Sequence, residues 1–329
     1  MKMSRAATVV VFALLAGCSP QAPEAPPSTS AAPTATASSA SPTTATPSPS
    51  PSPSLPVRLP LARDLTHGGA ETVLKHLNTL YGSLPAIKLD VSRTELVITL
   101  LDRQKQLLTL RWRDGMISRA DSDVTYLNQT TFQPSDFPLS NIAAIFDTAE
   151  ELGATGDQKV LQIVEYRPGE VYMTVTTSPE TSTVFFTRRG EAVRTLGFRS
   201  VADITQGLKE VVAGARAAAQ VGFNPNTGYW LDLPPSSGVT ERRSRMGALP
   251  VYVTRRSEGS SRTPFDPAKI DPLVLARAIE KHSPDETKPC SVEIDSRFEK
   301  VSPTVRYDCN GKITWTDLAG TEYTEAELH

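Results

Sequence analysis

The chain has 329 residues, and its 34 basic against 36 acidic side chains leave a formal net charge of −2. That balance offers no bulk attraction to nucleic acid or to an anionic membrane face. The stretch from residue 57 onward exceeds what one small core usually holds, so two or more domains, or a repeat array, are expected.

The first nineteen residues read as an export signal. Lys2 and Arg5 precede the apolar run Ala6 to Leu14, and small residues follow in Leu15-Ala16-Gly17-Cys18-Ser19. A run of about nine apolar residues is too short to span a bilayer and fits the h-region of a removable signal peptide, here residues 1–17. Leu15-Ala16-Gly17-Cys18 resembles the lipobox of bacterial lipoproteins, which implies cleavage before Cys18, diacylation of Cys18 and a membrane anchor at the new N-terminus. Ser19 stands where an Asp would resemble an inner-membrane retention signal. A Gram-negative source then implies the outer membrane on its periplasmic side, and a Gram-positive source the outer face of the plasma membrane. No later run of eighteen apolar residues follows, so membrane attachment is expected through lipid alone.

Residues 18–56 are expected to be the lipidated cysteine and a disordered tether. Pro20 to Pro56 is almost entirely Pro, Ser, Thr and Ala, and Glu24 is its one charge. With nothing bulky to bury, such a segment stays extended and solvated, with polyproline character where prolines cluster. Fully extended at about 3.1 Å per residue, it reaches on the order of 110 Å. An O-glycosylated stalk has the same composition.

Beyond the tether the pattern predicts an α+β body of four units, 57–136, 137–199, 200–265 and 266–329, each a helix packed on a small antiparallel sheet. The first helix, near Gly69 to Tyr81, aligns Val73, Leu74, Leu77, Leu80 and Tyr81 on one stripe. The second, near Ser140 to Leu152, aligns Ile142, Ile145, Phe146 and Ala149 ahead of Gly153. The third runs from a Ser200 cap through Ile204, Leu208, Val211, Val212 and Ala215 to Gly222. The fourth opens on Asp271-Pro272 and carries Leu275, Ala278 and Ile279.

Strands are expected after each helix, most clearly at Val160 to Glu165, Val171 to Thr176, Thr183 to Thr187 and Ala192 to Leu196. Asp114-Gly115 and Asn310-Gly311 are hairpin turns between strand-like runs. Phe185-Phe186-Thr187-Arg188-Arg189 echoes Tyr252-Val253-Thr254-Arg255-Arg256, which is compatible with duplication or with chance. The stretches Gly169 to Val175, Ser182 to Phe186 and Gly190 to Val193 resemble the strand pattern of PepSY-like domains over about sixty residues. That resemblance implies a cell-envelope module associated with protein binding and protease inhibition.

Cysteine count supports the export reading. Of three cysteines, Cys18 belongs to the lipid site, leaving Cys290 and Cys309 to pair in an oxidising compartment across a loop worth on the order of 3 kcal/mol. No metal is expected, because neither has a Cys or His within five residues. His67, His76, His282 and His329 stand in no metal or nucleophile spacing, and His76 and His282 are expected on helix surfaces or at a helix C-terminus. The carboxylate pairs Glu150-Glu151, Asp121 with Asp123, and Asp285-Glu286 lie at helix ends or in loops. Trp112, Trp230 and Trp315 fall in predicted strands and read as packing residues rather than a sugar platform. No catalytic residue and no cofactor is assigned.

Arg242, Arg243, Arg245, Arg255 and Arg256 form the densest charged cluster, on two neighbouring strands of the third unit. Residues 266–329 hold thirteen acids and eight bases, so this face is expected to pair with its acidic neighbour or with solvent, or to dock an acidic partner, an anionic polymer or lipid headgroups. The chain is therefore expected to be a lipid-anchored envelope protein that binds another envelope protein, an inhibitor or immunity protein being one form, and to carry no catalysis. The alternatives are a structural, peptidoglycan-proximal lipoprotein and an enzyme whose site converges from separate units.

Overall fold

The computed structural model describes residues 54–257, 262–285, 287–298, 301 and 303–329. The signal peptide, Cys18, most of the tether and Glu286 lie outside them. In the first half, β1 (Val57–Arg58), α1 (Gly69–Tyr81), β2 (Ala86–Val91), β3 (Glu95–Leu101), β4 (Leu107–Arg113) and β5 (Met116–Arg119) precede α2 (Ile142–Glu151), β6 (Gln158–Arg167), β7 (Glu170–Ser178) and β8 (Val184–Phe186). The second half has α3 (Val201–Val212), β9 (Gln220–Asn224), β10 (Gly228–Asp232), β11 (Thr240–Arg245) and β12 (Tyr252–Arg256). It continues with α4 (Pro272–His282), β13 (Ser291–Asp295), β14 (Thr304–Cys309), β15 (Lys312–Thr316) and the short α5 (Glu325–Leu328).

The body is α+β with antiparallel sheets, and its strands collect into two sheets rather than four. Their orders are β1-β5-β4-β3-β2-β6-β7-β8 and β12-β11-β10-β9-β13-β14-β15. In each, the first strand after one helix pairs with the first strand after the next. Leu89 lies opposite Ile163 in β2 and β6, and Val221 opposite Ile294 in β9 and β13. Four separate sheets would have left those strands as open edges, and pairing them removes the edges.

Strand alternation divides each sheet into an apolar face and a polar one. Leu89, Val91, Leu96, Ile98, Leu161, Ile163 and Met173 enter one core with Val73, Leu77, Ile142 and Ile145 of α1 and α2. Val221, Phe223, Tyr229, Leu231, Val292, Ile294 and Tyr307 enter the other with Ile204, Leu208, Leu275 and Ile279 of α3 and α4. Burying a single such side chain is worth about 1.5–3 kcal/mol, so these two cores dominate the stability of the fold.

Local signals place the caps and turns. Ser200 accepts from the Asp203 amide at 3.0 Å, and Asp271 from the Leu273 amide at 2.8 Å ahead of Pro272. Asp114-Gly115 and Asn310-Gly311 close their hairpins with positive φ at both residues. Two expectations fail. α3 ends at Val212 instead of reaching Gly222, because Ala213 and Gly214 turn left-handed, Ala218 exchanges backbone hydrogen bonds with Phe265, and the remaining residues enter β9. Ala192 to Leu196 makes only an isolated bridge from Ala192 to Phe186, after which the chain leaves the sheet.

Candidate functional site

The polar face of the second sheet carries an organised row of charged side chains. Thr254, Arg242, Asp232, Gln220, Asp295 and Thr304 lie opposite one another on six successive strands, so their side chains share a row. Asp232 and Asp295 are each only 1% exposed. A carboxylate that far from water needs matched donors, and both have them. Arg242 grips Asp232 with two parallel bonds, Nε to Oδ1 at 2.7 Å and Nη2 to Oδ2 at 2.8 Å, and Arg256 Nη2 adds a third at 2.6 Å. Arg297 donates to both oxygens of Asp295 at 2.8 and 2.6 Å, Arg262 also donates to it, and Gln220 Nε2 reaches it at 3.3 Å.

Two aromatic rings floor the row. The Arg242 guanidinium stacks 4.4 Å from the Trp230 centroid, and that of Arg297 lies 5.0 Å from Trp315. Trp230 lies flat across β9 because Gly222 is opposite it. A Cβ there would come within 2.5 Å of the indole and 2.6 Å of the Val292 carbonyl oxygen. The bond to Asp232 raises the pKa of Arg242, while burial and the neighbouring Arg297 lower that of Arg262. The arrangement holds guanidinium groups in fixed orientations, which suits recognition of carboxylates.

The five arginines singled out from sequence have different fates. Arg242 and Arg256 converge on Asp232. Arg243 turns to the helix side and caps the C-terminus of α3, donating to Val212 O at 2.8 Å. Arg245 is 2% exposed, held by Glu210 at 2.6 Å, Arg194 O at 2.6 Å and Gly247 O. Arg255 is 73% exposed and, among the described residues, pairs with Glu241 at 3.3 Å. The expected pairing with the acidic last unit is thus replaced, for these five, by pairing with Asp232, Glu241 and Glu210. The residues that sequence reasoning missed are Asp232, Asp295, Arg262 and Arg297. One signal was present: each aspartate is the last residue of its strand, Gly228–Asp232 and Ser291–Asp295, where a turn residue would otherwise be read.

Cys290 and Cys309 are joined in a disulfide that ties the residue before β13 to the end of β14. His282 is the last residue of α4, at the helix C-terminus as expected, but it is turned inward rather than to the surface. It is 8% exposed, packs 5.8 Å from Tyr307, and sits 3.5 Å from Glu322, with its pKa lowered chiefly by burial. His76 is half-buried, and its Nε2 has no partner among the described residues. Glu150 pairs with Lys159 at 2.7 Å and Asp123 with Lys88. Burial alone would lower the Lys88 pKa, and the carboxylates of Asp123 and Asp90 more than offset it. An open groove of about 680 Å³ in the first half runs past Asp90, Glu95, Phe146, Asp147, Glu150 and Lys159, and no His or Cys is among its described lining residues. Trp112 packs on the first core and donates to Leu59 O at 2.9 Å.

No protein family matches the sequence, and no characterised protein does. Among solved structures, a DNA polymerase III β subunit from Pseudomonas aeruginosa matches at 15% identity and TM-score 0.15, over 78% of this chain and 65% of that one. A ligand-bound sliding clamp from the same organism matches at 13% identity and TM-score 0.15, over 78% and 64%. The β subunit of Streptococcus pyogenes DNA polymerase matches at 9% identity and TM-score 0.15, over 80% and 66%. The chain thus spans slightly less than two thirds of the first two clamps, and at these TM-scores the likeness carries no argument about fold or function.

Proposed function

We propose that this is a lipid-anchored protein of the bacterial cell envelope whose α+β body, held off the membrane by the Pro/Ser/Thr tether, binds another protein without catalysing a reaction. One observation carries the reading. The two body cysteines are bonded to each other, and the third cysteine of the chain, Cys18, stands in the lipobox-like Leu15-Ala16-Gly17-Cys18. A disulfide is at home outside the cytosol, which is where a signal of this type delivers a protein. Arg255 and Arg256 of β12 support protein binding over small-molecule chemistry, because they present guanidinium groups on a surface. On the same reading the four helix-then-strands segments are copies of one unit, supported by the equivalent strand pairing of the two sheets.

The test is metabolic labelling with palmitate and membrane fractionation of the full chain against Cys18→Ser. Label and membrane association should both be lost in the variant. Unlabelled wild-type protein, or a variant that still fractionates with membranes, overturns the anchor. Crosslinking in intact cells should then yield a defined envelope protein, and its absence would turn the reading to a structural envelope role.

A further inference from the structure

The described sheets have four edges, and three are blunted. β1 is two residues long, between Pro56 and Pro60. β8 is covered by the chain that follows it, Thr187 N donating to Glu191 O at 2.9 Å and Val193 N to Phe185 O at 2.8 Å. β15 is covered likewise, Asp317 N donating to Thr321 O at 3.0 Å and Tyr323 N to Trp315 O at 2.9 Å. β12 differs. It is five residues long, and among the described residues nothing pairs with the backbone on its outer side.

The ladder identifies which groups are open. Leu233 N donates to Glu241 O at 2.9 Å, so Glu241 and Arg243 direct their backbone groups toward β10, and Arg242 and Ser244 direct theirs toward β12. Opposite Arg242 and Ser244 on β12 are Thr254 and Tyr252. The N–H and C=O groups of Val253 and Arg255 therefore point outward.

Charge selects what fits this edge. Arg256 shares a face with the Asp232 row, and Arg255 lies one residue away on the opposite face, toward the helices. Each leans on a carboxylate that another arginine already uses. Asp232 also holds Arg242, and Glu241 also approaches Arg243, at 3.9 Å. Five arginines on this hairpin thus share Asp232, Glu241 and Glu210. We propose that β12 is a strand-addition site that accepts an extended acidic segment of a partner protein, its backbone pairing with Val253 and Arg255 and adjacent carboxylates meeting Arg255 and Arg256, one on each face. A second copy of β12 would bring the same two arginines to the edge, which disfavours it as the occupant. This rests on the protein-binding reading above and adds where and how the partner docks.

Hydrogen exchange on the full-length chain in detergent tests it, with a blocked octapeptide Thr-Val-Val-Glu-Glu-Val-Val-Thr and its Lys-Lys counterpart as probes. The acidic peptide should slow exchange at Val253 and Arg255, weakening with salt, and the basic peptide should not. Val253→Pro removes one outward donor while leaving the bonds of Tyr252 and Thr254 to β11, and should cut affinity by about tenfold. Should that variant fail to fold, Arg255→Glu with Arg256→Glu keeps the backbone and should transfer preference to the basic peptide. Equal protection by both peptides, no protection by the acidic one, or protection that grows with protein concentration alone would overturn the site. A crosslinked envelope partner unaffected by Val253→Pro would overturn the edge while leaving the protein-binding reading intact.

Discussion

The two halves build their sheets alike and fill one position oppositely. Placing Leu89–Ile163 on Val221–Ile294 brings Thr99 and Thr109 of the first half onto Asp232 and Arg242 of the second. In one half two buried hydroxyls share a hydrogen bond of 3.0 Å, and in the other a buried carboxylate grips a guanidinium. The position requires only that its polar groups be satisfied. The costs differ, because an unpaired hydroxyl loses a hydrogen bond whereas an unpaired buried carboxylate loses its charge compensation. The charged version also engages Arg256 of the edge strand β12, whose guanidinium donates to Asp232.

Removing both guanidinium partners of Asp232 should break the comparison most sharply. Arg242→Ala with Arg256→Ala strands a carboxylate that is 1% exposed and should cost about 4 kcal/mol in urea unfolding. Grafting the first half's solution, Asp232→Thr with Arg242→Thr, should recover most of that loss, and failure to recover would show that the halves are not interchangeable here. Next in size is the disulfide, which the first half lacks. Cys290→Ser with Cys309→Ser opens a separation of 19 residues and should cost about 3 kcal/mol, with little change for the same variant measured under reducing conditions. Thr109→Val leaves Thr99 without its partner and should cost only about 1 kcal/mol.

The smallest effect is pH-dependent and belongs to the second half. Burial lowers the His282 pKa in the folded chain below its ordinary value of 6.5, so the unfolded chain binds the extra proton. Its contribution is fully present above pH 6.5 and is lost as pH falls through the folded pKa. Melting temperature should therefore decline below that pH, and more shallowly in His282→Asn. Identical profiles for the two proteins would remove His282 as the cause.

Much of the fold was legible because its signals are local. The Ser200 and Asp271 caps act within three residues, and the Asp114-Gly115 and Asn310-Gly311 turns need only their own φ values. The end of α3 was misread because the alanine-rich run after Val212 favours helix until Ala218 meets Phe265, a contact 47 residues along the chain. The candidate site was legible only as a cluster of arginines. Their uses depend on Asp232, Glu210 and the α3 terminus, which lie 10, 35 and 31 residues from the arginines they engage.

By itself, then, the sequence determined the helix starts, two hairpins and a cysteine pair, all of which follow from residue chemistry over short spans. Tertiary structure decided that paired strands would merge four segments into two sheets, which arginines would be consumed internally, and that β12 alone among the longer described edges would stay open. The physical reason is that strand order and ion pairing are settled by which distant groups meet, and meeting is a property of the folded chain.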